Sequence, residues 1–183
     1  MSALLRFDGV TLRRGGRLLF ERLDLALEPG DMLHVTGPNG SGKSSLIRLA
    51  AGLLRAEVGT VQRTPLALAD DHLALDRELR LRAALAFWGA SVDQAMEALG
   101  IAHLADVPVR LLSSGQLKRA TLARVVASGA PLWLLDEPLN GLDDYGAMLL
   151  EQSLRRHLVS GGAVLAASHQ RILIDCRELE LAE

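Results

Sequence analysis

The stretch that most narrows what this chain can become is GPNGSGKSS at 37–45, set directly behind the apolar run 32–36. It fits the pattern G-x-x-x-x-G-K-[ST]. Glycines there permit backbone dihedrals closed to other residues, and they let peptide N–H groups approach phosphate oxygens with no Cβ in the way. Residues 43–54 continue with Leu46, Leu49, Ala50 and Leu53 at helical spacing, so the unit is strand, loop, helix. The helix start adds unpartnered N–H groups and the positive end of a dipole. The expected nucleotide-binding residues are therefore Gly37, Pro38, Asn39, Gly40, Ser41, Gly42, Lys43, Ser44 and Ser45. Lys43 should reach the β- and γ-phosphates, and the Ser44 hydroxyl should coordinate Mg²⁺. No N-K-x-D guanine reader occurs, which favours ATP.

A chain of 183 residues can bury one α/β core but not two. Its formal charge of −2 shows no excess of Lys and Arg, so no nucleic-acid partner is suggested. The single cysteine, Cys176, cannot form an internal disulfide and fits a reducing compartment. No stretch approaches the roughly 18 uninterrupted apolar residues of a membrane span.

Residues 3–12 and 18–27 alternate apolar and polar around the turn-like Arg14-Gly15-Gly16, as strands of a small antiparallel sheet would. From 76 to 127 Leu, Ala, Arg and Glu dominate, with breaks at Gly89, Gly100 and Pro108, which suggests a helical subdomain. The apolar runs 132–135 and 163–168 flank a helical stretch over roughly 143–159, the pattern of parallel strands covered on both faces. An alternating stretch at 177–182 is expected to pair at a sheet edge.

LWLLDEP at 132–138 puts Asp136 and Glu137 at the C-terminal end of a buried strand, where open parallel sheets bind ligands. Neighbouring strand residues face opposite ways, so Asp136 is assigned to magnesium and Glu137 to an attacking water. Asp143 and Asp144 in LNGLDD suit a helix cap. His169, closing the strand at 163–168, suits either a cap or a γ-phosphate contact. A second loop-to-helix opening, LLSSGQLKR at 111–119, offers another anion site far from the first. Lys118 and Arg119 there are read as orienting the loop and meeting solvent. His34, His72, His103 and His157 have no metal-ligand spacing and are read as surface or core residues.

Taken together, GPNGSGKSS, LSSGQLKR, LWLLDEP, GLDD and SHQ stand in the order and rough spacing of the ATP-binding cassette (ABC) ATPases, and the chain resembles that family over essentially its whole length. The resemblance implies a P-loop NTPase fold spanning 1–183 as a single domain. Its core sheet would be mostly parallel, with an N-terminal antiparallel β-subdomain and a helical subdomain near 76–127 between Walker A and Walker B. It also implies an ATPase with Glu137 and His169 as catalytic residues, His169 being the γ-phosphate switch, and with Asp143 as the D-loop aspartate. The same likeness makes Ser113, Ser114, Gly115 and Gln116 the signature loop, serving a nucleotide held by the partner of a head-to-tail homodimer. Phrases such as APLWLLDEPLNGLD and GGAVLAASHQ further resemble the haem-exporter branch of cytochrome c biogenesis. That likeness implies integral membrane partners and a peripheral place on the cytoplasmic face of the inner membrane.

Two departures stand out. Arg13 and Arg14 occupy the place of the usual base-stacking aromatic, and a guanidinium plane could take that role. The Q-loop glutamine is missing from LALADDHLAL at 66–75; Asp71 or His72 falls near its place, and an Asp71 carboxylate could approach Mg²⁺. These departures leave a second reading, an ATP-gated assembly or regulatory module with little hydrolysis.

Overall fold

Apolar runs with no polar face must be covered on both sides, and the chain does this by burying the runs at 132–136 and 163–167 in the middle of a sheet. The computed structural model describes residues 2–70, 72 and 74–181. Among them the strands are β1 (Leu5–Arg14), β2 (Arg17–Leu27), β3 (Met32–Thr36), β4 (Val58–Arg63), β5 (Leu66–Ala69), β6 (Leu132–Asp136), β7 (Ala163–Ala167) and β8 (Arg177–Glu180). The helices are α1 (Lys43–Ala51), α2 (Leu81–Ala86), α3 (Val92–Ala98), α4 (Ser114–Ala127) and α5 (Asp144–Val159).

One sheet has the order β5-β6-β7-β3-β8, with every pairing parallel. Strand alternation divides its core. Leu132 and Leu134 face α1 residues such as Leu46, Ile47 and Leu49, whereas Trp133 and Leu135 face the helical side with Ala123, Leu150 and Leu154. Trp133 stacks on His157 at 3.8 Å between ring centroids, and burial pushes the His157 pKa below its ordinary value. The second sheet, β2-β1-β4, is antiparallel, and Gly15 and Gly16, both at positive φ, form the two-residue hairpin turn between β1 and β2.

The edge strand expected near 177–182 is β8, which lies parallel beside β3. The helix expected over 43–54 stops at Ala51. Gly52 takes a left-handed conformation and its N–H turns back to the Leu49 carbonyl, so Leu53 faces solvent instead of the core. The helical region starts at Leu81, not 76, and its helices α2 to α4 are interrupted by short 3₁₀ turns at 102–104 and 109–111. Strands β4 and β5 have no counterpart in the sequence reading.

Candidate nucleotide site

β3 delivers the chain to Gly37 at the end of the parallel sheet, and the loop 37–42 turns it into α1. Gly37, Gly40 and Gly42 all take positive φ, 135°, 85° and 105°. At Gly37 space is as binding as dihedral: a Cβ would lie 2.5 Å from the Leu181 carbonyl oxygen. No side chain caps α1, whose N-cap is Gly42, so its first N–H groups are left for a ligand. The Lys43 ammonium arches back over the loop and donates to the carbonyls of Gly37 (2.7 Å) and Pro38 (3.0 Å). Lys43 and Ser41 are buried, while Pro38, Asn39 and Gly40 are exposed.

This loop floors a cleft of about 460 Å³ lined by residues that include Arg14, Arg17, Asn39, Lys43, Ser44 and Glu137. Ser45 lines it too, and its hydroxyl accepts from the Arg14 guanidinium at 3.3 Å. Arg13 pairs instead with Glu57 at 3.8 Å, so of the two arginines it is Arg14 that borders the cleft. Arg17, which the sequence reading passed over, donates to the Gly40 carbonyl at 3.4 Å. Its only signal in the sequence is its place immediately after the hairpin glycines.

Asp136 is buried at the last position of β6, and alternation with Leu132 and Leu134 puts it on the α1 side of the sheet. Glu137 comes next and leaves strand geometry with φ 46°, a left-handed conformation that costs a non-glycine residue on the order of 1–3 kcal/mol. Its N–H donates to the Ala167 carbonyl at 2.7 Å. Its carboxylate Oε2 lies 2.9 Å from His169 Nδ1 and accepts from the His169 N–H at 3.4 Å. The fold thus joins two residues 32 positions apart at adjacent strand ends. Beside them, the Gln170 amide donates to Asn140 Oδ1 at 3.2 Å.

Asp143 is the N-cap of α5, accepting from the Gly146 N–H at 2.8 Å, and Asp144 opens the first turn. The loop 113–116 is a reciprocal cap: Ser113 Oγ accepts from the Gln116 N–H at 3.3 Å, and Gln116 Oε1 accepts from the Ser113 N–H at 2.9 Å. Ser114 is exposed and Gly115 half-buried, and neither takes part in the cap through a side chain. Ser114 borders a separate cleft of about 240 Å³ with Asp70, His72, Lys118, Asn140 and Gly141. His72, considered for the Q-loop position, borders this second cleft and holds Asp70 through Nδ1 at 3.1 Å. Asp71 lies outside the described residues. Burial lowers the pKa of Arg124 on α4, with the charge of Asp70 opposing the shift; its guanidinium also covers the Trp88 ring and donates to the Leu68 carbonyl.

A sequence profile of the ABC transporter family matches residues 20–140, and the chain belongs to that family as one of its ATP-binding domains. It is similar to the cytochrome c biogenesis ATP-binding export protein CcmA of Sphingopyxis alaskensis, at 54% identity over 95% of this chain and 94% of that protein. The protein of the same name from Novosphingobium aromaticivorans is 53% identical, covering 91% of this chain and 88% of its own. A solved ATP-binding subunit of an ABC transporter superposes with a TM-score of 0.81 over 91% of this chain and 79% of that one; at 19% identity the likeness concerns the fold alone. The chain is accordingly an ATP-binding, ATP-hydrolysing transporter subunit, and the reading as a regulatory module with little hydrolysis is not favoured.

Proposed function

We propose that this chain hydrolyses ATP to drive haem export in cytochrome c biogenesis, held on the cytoplasmic face of the inner membrane by integral Ccm-type subunits. The relatives that share more than half of its residues carry the names of that export system. Among the described residues no helix is long and apolar enough to cross a membrane. The observation that carries the catalytic part is Glu137, whose carboxylate stands at the cleft that Lys43, Ser44 and the open start of α1 line.

In this reading the α1 N–H groups and Lys43 hold the phosphates, and Lys43 exchanges its two loop carbonyls for phosphate oxygens. Arg14 lies against the base. A cradle that only glycine permits, a hydroxyl at its lip and a buried carboxylate on the α1 side of the sheet fit Mg²⁺, with Ser44 and Asp136 as its protein ligands. When bound there, Mg²⁺ would supply positive charge that offsets the negative charge developing on the phosphate during transfer. Glu137 orients the attacking water and takes its proton, and His169 keeps the carboxylate aimed. Two copies pack head to tail, so that Ser114 and Gly115 of one meet the γ-phosphate held by the other, with Asp143 at the seam.

Steady-state ATP turnover of Glu137→Gln, measured beside affinity purification of the chain from membranes, tests this proposal. A fall of roughly 10² to 10⁴ in kcat and the recovery of integral cytochrome c biogenesis subunits are expected. Undiminished turnover removes Glu137 from its role, and recovery of unrelated permeases removes the export assignment.

A further inference from the structure

The peptide unit that follows Glu137 has an unusual anchoring problem. Pro138 has no N–H, so the unit between residues 137 and 138 can be held only through the Glu137 carbonyl. Glu137 itself stands at φ 46°, which its own side chain disfavours, and contacts must hold it there. Among the described residues two groups reach its carbonyl. The Asn140 N–H does so at 3.3 Å, a long bond; the Lys118 ammonium does so at 2.8 Å, a short, charge-assisted one. Lys118 comes from α4, on the turn after Ser114, and reaches across 19 residues of sequence to the end of β6. It is half-buried, so water competes poorly for the bond.

We propose that Lys118 is a positioning residue for hydrolysis: by gripping the Glu137 carbonyl it keeps the left-handed turn in place and the carboxylate aimed into the cleft. This rests on the reading of Glu137 as the residue that activates water. Lys118 touches neither phosphate nor water in this role. Its effect falls on the rate of the chemical step and not on the affinity for nucleotide, because the 37–45 loop is built without it.

Steady-state MgATP kinetics of the full chain with Lys118→Met and Lys118→Arg test the proposal, with Glu137→Gln alongside and equilibrium binding of a fluorescent ATP analogue as the second readout. Lys118→Met removes the donor but keeps the stem, and kcat is expected to fall about ten- to a hundredfold while KM and analogue binding stay within about twofold. Lys118→Arg restores a donor and should recover kcat to within about threefold of the parent. If Lys118→Met turns over ATP at the parent rate while Glu137→Gln is silenced, the role of Lys118 is overturned and that of Glu137 stands. A rise in KM with kcat unchanged, or no rescue by arginine, also overturns it. If Glu137→Gln retains full turnover, the reading beneath the proposal is what fails.

Discussion

α1 begins at Gly42, which sits at φ 105° and offers no side chain to its own helix, whereas α4 begins at Ser113, whose hydroxyl joins the Gln116 amide in a reciprocal cap. Both openings present the positive end of a dipole. The first leaves its N–H groups to a ligand and adds a lysine. The second has already used the Gln116 and Ser113 N–H groups within itself and keeps mainly Ser114 and Gly115 for anything outside. An uncapped start can gather phosphate unaided; in the proposed head-to-tail dimer a capped one would contribute a few donors to a phosphate held by the other copy. The proposed dimer would then combine the two openings in one hydrolytic site.

The harshest way to break the contrast is Lys43→Ala. Truncating a buried charged contact costs roughly 2–5 kcal/mol, so affinity for ATP should fall more than about thirtyfold in equilibrium binding. Undiminished affinity would mean that the first opening does not hold phosphate as argued. Ser114→Arg is the next largest. It should leave ATP affinity of the single chain within about threefold, yet abolish the ATP-dependent dimer in sedimentation experiments and lower turnover by at least about tenfold. A mutant that still dimerises with ATP would separate the α4 start from the shared site. Ser113→Ala sharpens the comparison most gently: loss of the cap should cost about 1 kcal/mol, read as a melting temperature lower by roughly 2–4 °C. An unchanged melting temperature would mean that the reciprocal cap is not what stabilises the start of α4.

The parallel sheet and the cradle were legible because each rests on local pattern: uninterrupted apolar runs for β6 and β7, and fixed spacing for 37–45. Strand β4 carries little apolar signal because most of its residues face water, and β5, four residues long, looks like part of the loop that follows it. From the sequence α1 reads as running to residue 54 because Leu53 continues the apolar stripe, and only the backbone of Gly52 ends it. At 113–116 the S-x-x-Q spacing of a capping box was present, but the same letters resemble a signature loop; the structure uses Ser113 and Gln116 for the cap, which does not bar the neighbouring residues from the other task. From the sequence Lys118 reads as orienting the loop and meeting solvent, whereas the structure half-buries it. Its partner is a backbone carbonyl, which no side-chain motif announces.

The turn at Glu137 has a consequence for how this chain can change over time. Glycine would adopt φ 46° with no penalty, and asparagine with little, so if Glu137 activates water as proposed, the backbone and the chemistry ask for different residues at this position. Selection for heat resistance alone should drift residue 137 away from glutamate, and selection for transport should return it.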